Sequence, residues 1–151
     1  MGIEIGPLHV RRSGFIEAGP ARVWQELTSQ DRLAAWYGQG HTLERFEPQV
    51  GSDVRLSIHI DGEVVHFGGR LLVLEADREL TYESNWEGER AWPLATLHTI
   101  RLTPLYSGTL VEIFHHGFER IGAGVAGVLE DYESGWTNHH LARLREIVEG
   151  R

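Results

Sequence analysis

The sequence predicts an α+β fold: a curved antiparallel sheet of six or seven strands around a long C-terminal helix, with two short helices after the first strand. Three observations carry that prediction. Apolar and polar residues alternate with period two in successive runs between Gly38 and His116. The turns between those runs are short and contain glycine or acidic residues, which suits antiparallel neighbours because parallel strands need crossovers of about a dozen residues or more. From about Glu130 to Val148 the pattern changes to helical spacing.

Taken in order, residues His9 to Ala18 read as the first strand and end at Gly19-Pro20, where the fixed φ of proline suits a first helical position. Val23, Trp24 and Leu27 then recur at helical spacing, and Thr28-Ser29-Gln30-Asp31 offers a capping box for a second short helix through Trp36. Val54, Leu56, Ile58 and Ile60 alternate with Asp53, Arg55, Ser57 and His59 in the clearest half-buried strand, and Asp61-Gly62 marks a hairpin. The next strand runs from Val64 to Glu75. Its Leu71-Leu72-Val73-Leu74 run is apolar on both faces, so alternation leaves open which side meets the core.

Leu80, Tyr82, Ser84 and Trp86 share one strand face, and Leu94, Thr96, His98, Ile100 and Leu102 share the next. Ser107-Gly108 then turns the chain into Val111, Ile113 and His115. On the last helix Tyr132, Trp136, Leu141, Leu144 and Val148 lie near one side. About 19 residues at 1.5 Å per residue reach roughly 28 Å, enough to cover the apolar face of a sheet.

A length of 151 residues with 41% apolar content suits one domain spanning residues 1–151. The chain has no cysteine, which removes disulfides, thiolate nucleophiles and Cys-ligated zinc and fits a cytoplasmic protein. Fourteen basic against 22 acidic residues give a net charge of −8, the wrong sign for a phosphate backbone, so neither nucleic acid nor membrane is expected as a partner. No leader pattern precedes Pro7 and no apolar run is long enough to span a bilayer.

Each chemical motif has a plainer reading beside it. Gly122-Ala123-Gly124-Val125-Ala126-Gly127 matches G-x-G-x-x-G, but a dinucleotide site needs a following parallel strand with an acidic residue, and the chain ends with the helix. A flexible connection is the expectation, and no cofactor is called for. His115-His116 and His139-His140 invite zinc. Neighbours on a strand point to opposite faces and neighbours on a helix diverge by about 100°, so at most one of each pair faces inward and no metal site is expected. No G-x-S-x-G elbow supports hydrolysis. What remains is a group of large aromatics placed to line the space under the helix: Trp36, Tyr37, Tyr82, Trp86, Trp92 and Trp136. Such walls describe a small-molecule pocket or an ordinary packed core.

Pro20-x-x-Val23-Trp24-x-x-Leu27-Thr28, Leu33-x-x-Trp36-Tyr37-Gly38, Gly108-Thr109, His115-x-Gly117-Phe118, and Gly135-Trp136 with Leu141 and Leu144 follow one another along nearly the whole chain. In order and spacing they resemble the AHSA1-like family, named for the activator of Hsp90 ATPase, within the START / Bet v 1-like (SRPBCC) superfamily. The resemblance implies the helix-grip fold, with a cavity between sheet and C-terminal helix. It also implies that Val111, Ile113 and His115 face inward while Leu110, Glu112, Phe114 and His116 face out, and that Ile100, Leu102, His98 and Thr96 face inward too.

Relatives in this superfamily include lipid carriers, hormone receptors, polyketide cyclases and bacterial stress proteins, so the site must decide. The expected function is binding of an apolar or aromatic small molecule, with Trp36, Tyr37, Tyr82, Trp86, His98, Ile100, Ile113, His115, Tyr132, Trp136 and His140 as contacts. The first alternative is a cyclase- or dehydratase-type enzyme using His98 or His115 as general acid or base. The second is a stress-response or chaperone-interacting domain that meets a protein partner, as monomer or homodimer.

Overall fold

The computed structural model describes residues 8–38, 40–122, 125, 127, 128, 131, 132 and 138–150. Seven strands form one antiparallel sheet: β1 (Val10–Ile16), β2 (Thr42–Arg45), β3 (Asp53–Ile60), β4 (Glu63–Glu75), β5 (Glu79–Trp86), β6 (Thr96–Leu105) and β7 (Gly108–His116). Their order is β1-β7-β6-β5-β4-β3-β2. Strands β2 to β7 thus follow as a meander, and β1 returns to pair with β7 from Val10 opposite His115 to Ile16 opposite Thr109.

Local chemistry explains the turns. Asp61 (φ 50°) and Gly62 (φ 81°) are both left-handed, the two-residue turn whose twist matches that of the strands it joins. The later turn falls one residue before the predicted Ser107-Gly108: Leu105 already pairs with Gly108, so Tyr106 (φ 53°) and Ser107 make it. Gly108 serves a different purpose. A Cβ there would lie 2.2 Å from the Ile16 carbonyl oxygen, so only glycine admits β1 at that distance.

The ambiguous Leu71–Leu74 run is resolved by a bulge. Phe67 and Leu71 are buried, the β4–β5 register then shifts between Leu71 and Val73, and Leu72 is 42% exposed. The extra residue moves the inward phase by one, so that Leu74 rejoins the core opposite Leu80. Leu94 departs from the expected β6 face: it precedes the strand and is 59% exposed.

Helices α1 (Pro20–Trp24) and α2 (Gln30–Ala34) flank a 3-10 turn at Gln25–Leu27. Ser29 rather than Thr28 caps α2, its hydroxyl accepting from the Arg32 N–H at 3.2 Å. The Thr28 hydroxyl instead donates to the Gln25 carbonyl at 2.6 Å. Between them the buried Glu26 carboxylate accepts from Arg22 (2.6 Å) and Arg32 (3.0 Å), and its backbone carbonyl accepts the Trp36 indole N–H at 3.0 Å.

The C-terminal helix α3 covers His139–Glu149, with Asn138 (φ −83°, ψ 4°) outside helical geometry at its N-cap. It therefore starts later than the predicted Glu130. Asp131 and Tyr132 are also helical, but residues 133–137, Trp136 among them, lie outside the described set, as do Ala123, Gly124 and Ala126 of the Gly122–Gly127 segment. Helix α3 crosses β1 where a Cβ on Gly14 would meet Leu141 Cβ at 3.7 Å, and Leu141 and Leu144 join Ile16, Ile100, Leu102, Val111 and Ile113 in the main core.

The inward assignment of β6 and β7 is reproduced: Thr96, His98, Ile100 and Leu102, and Val111, Ile113 and His115, are all 5% exposed or less. The outer face carries a polar ladder in which Thr81 bonds Thr99 (2.8 Å) and Thr99 bonds His116 Nε2 (2.9 Å). Beside it, Glu112 pairs with Arg11.

Candidate ligand-binding cavity

The apolar side of α3 seals the β1 end of the concave face, and the part toward β3–β5 is left with a cavity of about 670 Å³. That size suits a small organic ligand. Alternation on β3 presents Leu56 and Ile58 to it, β4 adds Phe67, and β5 adds Tyr82, Ser84 and Trp86. His98 comes from β6, Tyr37 and His41 from the segment after α2, and His140 from the first turn of α3. Trp92, Val128, Asp131 and Tyr132 form the remaining wall.

The aromatic wall is held by contacts outside it. Asn85 accepts the backbone N–H groups of both Trp86 and Trp92 at 2.8 Å and donates to the Trp92 carbonyl at 3.1 Å. This clamp fixes the Trp92 ring edge-on to Trp86, with centroids 6.4 Å apart, and Tyr132 continues the series at 6.2 Å from Trp92. Phe67 packs on Trp86 at 5.0 Å, and His41 at the mouth packs edge-on to Phe67 at 5.2 Å.

One polar chain crosses this lining. The Tyr37 hydroxyl lies 2.8 Å from the Tyr82 hydroxyl and 3.1 Å from His98 Nδ1. Burial pushes both phenols up, away from ionisation, and holds the His98 imidazole down at about 3, so all three groups are neutral at physiological pH. Tyr132 is raised to about 12 by burial, which a hydrogen bond from Trp86 partly offsets.

His115 sits behind the wall. Its Nε2 lies 2.8 Å from the Thr96 hydroxyl, which itself donates to the Ser84 carbonyl at 3.0 Å. A hydroxyl has one proton, so His115 must be the donor to Thr96, and its neutral form carries hydrogen on Nε2. Burial, with a smaller contribution from His98, holds its pKa well below the ordinary value.

Of the residues chosen from sequence, Tyr37, Tyr82, Trp86, His98, Tyr132 and His140 border the cavity. Trp36, Ile100, Ile113 and His115 are not among its lining residues. Trp36 is turned away by its bond to the Glu26 carbonyl, Ile100 and Ile113 are consumed in packing under α3, and His115 is committed to Thr96. Trp136 lies outside the described residues. Phe67, His41, Ser84 and Asp131 were not singled out. Phe67 is brought to the wall by pairing with Leu56, Ser84 by sharing the β5 face of Tyr82 and Trp86, and no local pattern marks His41 or Asp131. Among the described residues no three His, Asp or Glu side chains converge to hold a metal ion.

The sequence profile described as "Activator of Hsp90 ATPase homolog 1-like protein" matches residues 17–149. The chain belongs to this family. As an AHSA1-like, SRPBCC-type protein it has the Bet v 1-like helix-grip fold, and its solved structural neighbours agree. A protein from Chromobacterium violaceum superposes with TM-score 0.71 at 23% identity, covering 95% of this chain and 99% of that one. The Aha1 dimer from Colwellia psychrerythraea gives TM-score 0.63 at 17% identity, with 93% and 96% covered. DynU16, from the dynemicin biosynthetic locus, gives 0.68 at 18%, covering 95% of this AHSA1-like chain and 48% of its own. No curated protein sequence is significantly similar. Among the described residues no helix is long and apolar enough to cross a membrane.

Proposed function

We propose that this AHSA1-like protein acts in the cytoplasm as a single-domain binder of an apolar, aromatic small molecule, held between the sheet and the C-terminal helix. The observation that carries this reading is the cavity of about 670 Å³ walled by Phe67, Trp86, Trp92 and Tyr132 with only a few polar groups. A packed core of the same composition would leave no such volume.

A cavity histidine working as general acid or base is the second reading, favoured by the bond between His98 and Tyr37. It ranks behind binding because an imidazole held near a pKa of 3 is a weak base at neutral pH. Contact with a chaperone rests on the family's description alone.

The test is a thermal-shift and tryptophan-fluorescence screen against flavonoids, aromatic polyketides, steroids and fatty acids. A ligand at a hundredfold excess over Kd raises stability by about 2.7 kcal/mol. The expected result is a saturable shift that is lost in a folded Trp86→Ala variant. No shift from any class, or an undiminished one in that variant, overturns the reading.

A further inference from the structure

The polar chain and the charge of the walls together define which aromatic ligands the cavity accepts. Tyr82 stands at the end of the chain, and among the described residues its hydroxyl has one hydrogen-bond partner, Tyr37. A hydroxyl offers one proton and two lone pairs, so capacity remains on the hydroxyl of this wall residue. The chain can run in two directions without any change of charge. With hydrogen on His98 Nε2, Tyr37 donates to His98 Nδ1 and Tyr82 donates to Tyr37, leaving Tyr82 oxygen as an acceptor. With hydrogen on His98 Nδ1, the order reverses and Tyr82 has its proton to donate. The same atom can therefore meet a hydroxyl or a carbonyl.

Among the described residues the walls hold three histidines, His41, His98 and His140, but no lysine or arginine to meet an anion. All fourteen basic residues are arginine, and none borders the cavity among the described residues. Of the residues outside the described set, Arg151, next after the Gly150 C-cap of α3, is the one basic residue, while 123, 124, 126, 129, 130 and 133–137 contain Glu130 and Glu133. Asp131 adds a carboxylate to the wall. Burial also disfavours the charged form of His98. A ligand carboxylate would lose its hydration here without gaining a cation.

We infer that the cavity selects neutral aromatic ligands bearing a hydroxyl or carbonyl oxygen, read by Tyr82 at the end of the Tyr37–His98 chain, and turns away aromatic carboxylates. This rests on the small-molecule reading above and narrows it.

The test uses four probes with one ring system: naphthalene, 2-naphthylmethanol, 2-acetylnaphthalene and 2-naphthoate. Each is titrated by equilibrium dialysis at pH 8, where an ordinary imidazole is uncharged. The alcohol and the ketone should both bind more tightly than naphthalene by about fivefold, and more tightly than the carboxylate by about tenfold or more. In Tyr82→Phe their margin over naphthalene, each measured in that same variant, should fall to within about twofold. Carboxylate binding equal to that of the alcohol overturns the inference but leaves the binding reading standing, and so does a margin that survives in Tyr82→Phe. The comparison in the unmodified protein decides the charge selectivity even where the variant fails to fold. Failure of all four probes, naphthalene included, overturns both.

Discussion

The rings of His98 and His115, opposite each other across β6 and β7, pack with centroids 3.9 Å apart and an interplanar angle of 38°. Tyr82 stacks on the far side of His98 at 5.0 Å, and Tyr132 and Phe118 each meet His115 at 4.5 Å. Two imidazoles in that environment are stable only when neutral, because a charge on either is desolvated and repels a charge on the other.

This makes stability depend on pH in a known direction. Both histidines have folded pKa values below the unfolded value of 6.5, His98 at about 3, so their contribution is complete above pH 6.5 and is lost as pH falls toward the folded values. Between pH 6.5 and 5 His98 should cost about 1.4 kcal/mol per pH unit, and His115 acts in the same direction. Urea denaturation across that window should show a steep slope, and His98→Gln should reduce it by about one proton's worth. A slope unchanged by the substitution would mean that His98 is not the titrating group.

Thr96 links His115 to the Ser84 carbonyl, so Thr96→Val removes a buried hydrogen bond at each end and should cost about 1–3 kcal/mol. Nitrogen-15 NMR of the histidine rings gives an independent reading. His115 should be in the Nε2–H form in the unmodified protein, and a mixture of tautomers is expected in the variant.

Asn85→Ala should free the Trp92 backbone from β5 without touching the cavity surface. The expected outcome is faster amide exchange at Trp86 and Trp92, with affinity for an aromatic probe down about tenfold because the wall is no longer preorganised. Equal affinity with faster exchange would show that Trp92 is not a needed contact.

Glu26→Gln should destabilise the α1–α2 segment by about 1–3 kcal/mol, since a buried amide replaces a carboxylate that accepts from two arginines. Gly108→Ala should cost about 1–3 kcal/mol or more, because the new methyl meets the Ile16 carbonyl. Shifts in chemical-denaturation midpoint measure both.

The α+β class, the antiparallel pairing and the inward face of β3 and β5 were legible locally, because a strand has period two and a short turn permits only an antiparallel return. Val54 and Leu56, Leu80 and Tyr82 are buried as their alternation requires. The phase of β6 and β7 came from the family resemblance, which placed His98 and His115 inside together. Alternation assigns a face but not a depth. Which of two inward residues packs and which borders a void depends on where α3 lies over the sheet, and that helix crosses β1 at Gly14 while the cavity lies over the β3–β5 half. Hence Ile100 and Ile113 became core while Tyr82 and Trp86 became wall, and of two paired histidines only His98 reached the cavity. The bulge at Leu71–Val73 and the turn of Trp36 toward Glu26 were likewise decided by neighbours distant in sequence or by a hydrogen bond no periodicity encodes. Local patterning thus set the class, the antiparallel pairing and the faces of β3 and β5, whereas packing set depth, because burial belongs to pairs of surfaces rather than to single strands.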